Sequence, residues 1–107
     1  MVKLKVLRNE EDGHCLTLEM MDEDHTLGNA LRYIIMKNEC VKFCGYSIPH
    51  PTERKVIMQI QTHASKGTTG LQVFEQGLQD LLSISQVIKH KFNEALDEYD
   101  SMVKIDN

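Results

Sequence analysis

Residues 70–103 read GLQVFEQGLQDLLSISQVIKHKFNEALDEYDSMV. Leu71, Phe74, Leu78, Leu81, Ser85, Ile88, Phe92, Ala95, Tyr99 and Met102 follow one another in steps of three and four. That spacing is the heptad seam of one continuous helix, and no Pro or Gly after Gly77 interrupts it. Thr69 followed three residues later by Gln72 predicts a capping box at its start. A helix over Gly70–Val103 is about 50 Å long at 1.5 Å per residue. A compact domain of about 100 residues has a radius of gyration of only about 13 Å. The helix must therefore overhang its own domain, and Phe92, Ala95, Leu96, Tyr99 and Met102 need cover that one sheet does not provide. The chain reads as one built to pair with another chain.

Upstream of the helix, 63–70 is a loop, and Lys55–Thr62 alternates as a strand with Val56, Met58 and Ile60 on one face. Pro49 and Pro51 lie in a connection that no central strand tolerates, and Val41–Tyr46 before them reads as a strand. Leu27, Ala30, Leu31, Ile34 and Ile35 recur at i, i+3, i+4, i+7 and i+8, the stripe of a helix ending near Asn38 with Thr26 as N-cap. Tyr33 and Met36 widen its apolar surface to a second side, as expected where a helix touches both its own sheet and another subunit. At the N-terminus, Val2, Leu4 and Val6 share one face of a half-buried strand. Asn9–Gly13 is a turn, and Leu16, Leu18 and Met20 mark the second arm of a hairpin. The expected architecture is a two-layer α+β domain spanning residues 1–107, in the order ββαββα, with an antiparallel sheet, one short helix and one long C-terminal helix.

Lys+Arg number 12 against 16 Asp+Glu, a net charge of −4. Phosphate neutralisation supplies most of the affinity for nucleic acid, so this balance argues against a stand-alone binder. No apolar run approaches the roughly 20 residues of a membrane span. The alternating N-terminus is unlike a signal or transit peptide, and three cysteines, an odd number, suit reduced thiols in cytosol or nucleus.

Few residues invite chemistry. Asp22, Glu23, Asp24 and His25 place acids beside an imidazole, but consecutive carboxylates in a turn point in different directions. A strand-to-helix turn with acids near the positive helix end accounts for them better. Cys40, Cys44 and His50 lack the second close-spaced ligand pair of a tetrahedral zinc site. None of Cys15, Cys40 and Cys44 sits at an obvious helix N-terminus that would stabilise a thiolate, so all three read as small buried hydrophobes. Gly28 stands alone, without a phosphate-cradling loop, and implies a close backbone approach by a neighbour. Lys89-His90-Lys91 reads as a solvated helix face followed by acids, not a nucleic-acid patch. No catalytic residue, cofactor or metal is expected.

Asp24-His25-Thr26-Leu27-Gly28-Asn29-Ala30-Leu31-Arg32 resembles the first-helix signature of the α-like subunits of DNA-directed RNA polymerase. Phe43-Cys44-Gly45-Tyr46-Ser47-Ile48-Pro49-His50-Pro51 and the strand ending Gln59-Ile60-Gln61-Thr62 match the next block of that family in order and spacing. Gly77-Leu78-Gln79-Asp80-Leu81 falls where the family places its long dimerisation helix. Leu31–Asn38 and Phe43–Tyr46 look more like the smaller α-like subunits shared by polymerases I and III than their polymerase II counterpart, although Glu39 stands where members often carry proline.

The resemblance implies a non-catalytic assembly subunit of the nucleus and nucleolus. It would heterodimerise with a larger α-like subunit to form the platform for the large catalytic subunits, in the enzymes that make rRNA, 5S rRNA and tRNA. The alternatives are the equivalent small subunit of polymerase II and, more remotely, a small Cys/His metal- or thiol-dependent protein. The expected partner interface is Leu27, Gly28, Leu31, Tyr33, Ile34, Ile35 and Met36 on the first helix, with Phe74, Leu78, Leu81, Ile88, Phe92, Ala95 and Tyr99 on the second.

Overall fold

The computed structural model of the chain describes residues 3–10 and 12–106. Strands β1 (Leu4–Asn9) and β2 (Cys15–Met21) precede helix α1 (His25–Met36). Strands β3 (Val41–Ser47) and β4 (Lys55–Thr62), a single 3₁₀ turn at Ala64–Lys66 and helix α2 (Gly70–Asp106) follow. The four strands form one antiparallel sheet in the order β1-β2-β4-β3, so two hairpins are joined through their inner strands.

The join is apolar. Leu16, Leu18 and Met20 of β2 stand directly opposite Ile60, Met58 and Val56 of β4, and all six are buried. Alternation with period two puts these cross-strand pairs on one face, which both helices cover. Leu31 and Ile35 of α1, Val73 and Phe74 of α2, and Val41 and Cys44 of β3 complete the core.

The first strand departs from expectation. Leu4 and Val6 do lie in register with Met20 and Leu18, but every residue of β1 is exposed. It is an edge strand where only Leu4 nears the helices, at the rim of an open groove shared with Leu27, Phe74 and Leu78, and a bulge between Val6 and Arg8 leaves Leu7 facing solvent as well. Val2 falls outside the described residues.

The first helix starts earlier than the sequence suggests, because its N-cap is Asp24 and not Thr26. Asp24 has extended backbone, and its Oδ1 accepts the Thr26 N–H at 3.0 Å. That hydrogen bond, aided by Thr26 and Arg54, holds the Asp24 carboxyl below the usual carboxylate range. The capping box of α2 forms as the sequence suggests: the Thr69 N–H donates to Gln72 Oε1 at 3.0 Å, and the Gln72 N–H to Thr69 Oγ1 at 3.3 Å.

Two glycines set how closely α1 packs. A Cβ on Gly28 would lie 2.9 Å from the Tyr46 ring, so the expected close neighbour is an aromatic side chain of β3 and not backbone. A Cβ on Gly77 would lie 2.7 Å from Ile35 Cγ1, where α1 and α2 cross. Gly in a helix interior costs up to about 1 kcal/mol relative to Ala. Ile35 is fully enclosed and cannot retreat, so close packing outweighs that cost. Gly77→Ala should accordingly destabilise the chain by about 1–3 kcal/mol despite its better helix propensity, read as a lowered urea midpoint.

Candidate partner interface

Beyond its crossing with α1, the second helix leaves the domain. Leu81 is half-buried, and every residue from Leu82 to Lys104 is exposed, a length of about 34 Å. The chain measures 65 × 37 × 23 Å, and its radius of gyration of 18.4 Å well exceeds that of a compact domain of this length.

The overhang is not polar. Ile88, Phe92, Tyr99 and Met102 each leave more than 60% of their surface to solvent, and Leu82, Ile84, Val87, Leu96 and Val103 add to the same helix. A monomer rarely shows a contiguous apolar surface of this extent, and one that does marks an interaction site. Where α2 emerges beside α1, an open groove of about 590 Å³ is lined by Ala30, Tyr33, Ile34, Lys37, Asp80, Leu81, Ser83 and Ile84. The Lys37 ammonium sits 4.5 Å from the centroid of the Tyr33 ring at its rim, a contact that holds an exposed aromatic in place.

The structure divides the residues expected at the interface. Tyr33, Met36, Leu78, Ile88, Phe92, Ala95 and Tyr99 are exposed, and Leu27, Ile34 and Leu81 are half-buried along the helices. Gly28, Leu31, Ile35 and Phe74 are corrections: all four are buried inside the chain's own core. Heptad spacing does not say which stretch of a stripe meets the sheet, and near its N-terminus the α2 stripe is consumed by β2 and β4. Leu82, Ile84 and Val87 lie outside the expected set, because they flank the seam; the i±3 and i±4 neighbours of seam residues find Leu82 and Ile84, and Val87 stands three beyond Ile84.

Several residues that invite a chemical reading have structural contacts. Asp24 caps α1 and pairs with Arg54 at 3.4 Å, Asp22 lies 3.8 Å from Lys3, and His25 Nδ1 shares a 3.1 Å hydrogen bond with the Tyr46 hydroxyl. Cys44 is buried in the core, Cys40 packs against it, Cys15 is half-exposed and His50 is exposed in the β3–β4 loop. Among the described residues no three of His, Cys, Asp and Glu come together to hold a metal.

This arrangement of a half-covered sheet, crossed helices and an overhanging apolar helix accompanies a match between residues 15–91 and the RNA polymerase Rpb3/Rpb11 dimerisation domain. The chain belongs to that family. Two relatives are named DNA-directed RNA polymerases I and III subunit RPAC2. The one from Saccharomyces cerevisiae is 46% identical over 89% of this chain and 66% of its own length. The one from Schizosaccharomyces pombe is 52% identical over 76% of this chain and 63% of its own. The chain thus spans a little under two-thirds of either relative. A probable polymerase II subunit RPB11 of Caenorhabditis elegans is less similar, at 36% identity over 72% of this chain. The crystal structure of DNA-directed RNA polymerase subunit L from Thermoplasma acidophilum superposes with a TM-score of 0.76, covering 92% of each chain at 22% identity, and shares the fold.

Burial pushes the Cys44 thiol from its ordinary 9.0 to about 11, with Arg32 opposing only weakly. A thiol held neutral there is no nucleophile at neutral pH. Because the folded pKa is the higher, the folded state keeps a proton that the unfolded state releases. The stability this gives is complete below pH 9.0 and is lost as pH rises toward 11. The fall in the urea midpoint between those values should be shallower in Cys44→Ala than in the native chain.

Proposed function

We propose that this chain is a non-catalytic assembly subunit of RNA polymerases I and III. Residues 1–107 act as one dimerisation domain that heterodimerises with a larger α-like subunit, and the pair forms the platform for the large catalytic subunits. In that role it serves transcription of rRNA, 5S rRNA and tRNA in the nucleus, including the nucleolus, and has no active site of its own. The observation that carries this reading is the bare apolar face of α2 beyond Leu81, continuous with the groove beside α1. An obligate interface resembles a domain core cut in half, and this surface has that character. The family match and the names of the relatives support a partner that is another polymerase subunit. A polymerase II assignment has the weaker support, since the RPB11 relative is 36% identical where the two yeast RPAC2 relatives are 46% and 52% identical.

The reading is tested by identifying what co-purifies with the tagged chain from cells that express it. A larger α-like subunit together with subunits of polymerases I and III is the expected result. Polymerase II subunits alone would move the chain to the sister enzyme, and recovery of no polymerase subunit would overturn the proposal. Phe92→Asp supplies the residue-level check. Phe92 is 64% exposed, so at concentrations where the isolated chain is monomeric the variant should unfold within about 0.5 kcal/mol of the native chain. The same charge, desolvated within an apolar interface, should abolish recovery of the larger subunit.

A further inference from the structure

We propose that the distal half of α2 is self-complementary, and that the chain without a larger partner docks a second copy of itself through antiparallel pairing of residues 85–102. The first ground is the apolar seam. An antiparallel register with Phe92 opposite Ala95 of the second copy also sets Ile88 opposite Tyr99 and Ser85 opposite Met102. Two-fold symmetry repeats each contact, giving six layers over about 27 Å, with large side chains facing smaller ones at the centre.

The second ground is charge. Lys91 and Glu98 each precede a seam residue by one position, Phe92 and Tyr99, and so lie on the same edge of the apolar stripe. Antiparallel helices bring like edges together, so Lys91 of one copy meets Glu98 of the other, twice. In a parallel pair the same two side chains would face Leu96 and Val103, with no charge match. Both are exposed, and among the described residues neither has an ion-pair partner within the chain. The His90–Glu94 pair, at 2.9 Å, lies away from the apolar stripe, with Glu94 held by His90 although it neighbours Lys91 and Glu98 on the helix surface.

The third ground is where the helix ends. The same register carries Met102 and Val103 of the second copy to Ser85 and Ile84, at the mouth of the groove between α1 and α2. The tip of each overhang thus lands on the other apolar opening, and the two sheets remain at opposite ends. The inference concerns the chain alone and stands independently of the heterodimer proposed above. If both hold, the larger subunit must displace the second copy from a shared seam.

Sedimentation equilibrium of the purified full chain tests this, with helix content checked by circular dichroism. The expected result is a monomer–dimer equilibrium. Lys91→Glu or Glu98→Lys alone turns two attractive contacts into two repulsive ones and should weaken association roughly tenfold. The double variant K91E/E98K restores opposite charges and should return within about twofold of the native value. A native chain that stays monomeric at its highest soluble concentration would overturn the proposal. So would single variants that dimerise unchanged, or a double variant no better than either single one. Binding to the larger subunit is measured separately, and its absence would count against the heterodimer without touching this result.

Discussion

The second helix is longer than the sheet it packs on, and the rest of the molecule follows from that mismatch. Its first three turns bury Val73 and Phe74 against β2 and β4, and Gly77 admits Ile35 of α1. From Leu82 onward nothing within the described residues covers it. Burial of apolar surface is the main favourable term in folding, and a long apolar stripe left in water holds that term in reserve for association. The domain therefore folds around one end of its longest element and presents the other.

The sheet and α1 make this possible by being small and tightly matched. Six buried side chains paired across β2 and β4 form the base of the core, and α1 sits close to β3 because Gly28 carries no side chain and close to α2 because Gly77 carries none. The residues at the head of α1 that invite a chemical reading have structural tasks: Asp24 caps the helix, and His25 and Tyr46 pair across the helix–sheet contact. Cys44 is neutral and enclosed.

That surface also distinguishes partners. The groove between α1 and α2 is shallow, apolar and bounded by Lys37 and Asp80. The overhang beyond it changes from basic, at Lys89 and Lys91, to acidic, at Glu98 and Asp100. Apolar stripes are permissive, and flanking charges select register and orientation. The chain belongs to the Rpb3/Rpb11 dimerisation family, and the charges along the edges of the stripe bear on which pairings would compete if it pairs there.

The two periodicities, 2 in the strands and 3.6 in the helices, were legible without a structure, because they depend only on backbone geometry and local sequence. They located β2, β4 and both helices, the capping box at Thr69 and Gln72, and the necessity of an overhang, since length is additive along a helix. Tertiary structure decided what each apolar residue touches. Leu4 and Val6 alternate as well as Leu16 and Leu18 do, yet stay exposed because β1 takes the edge and the helices cover it only at the rim beside Leu4. Leu31 and Ile35 share a stripe with the half-buried Ile34, and Phe74 shares one with Phe92, yet they lie in the core because that is where α1 and α2 cross the sheet. Periodicity specifies a face, and only the packing of whole elements specifies what the face meets.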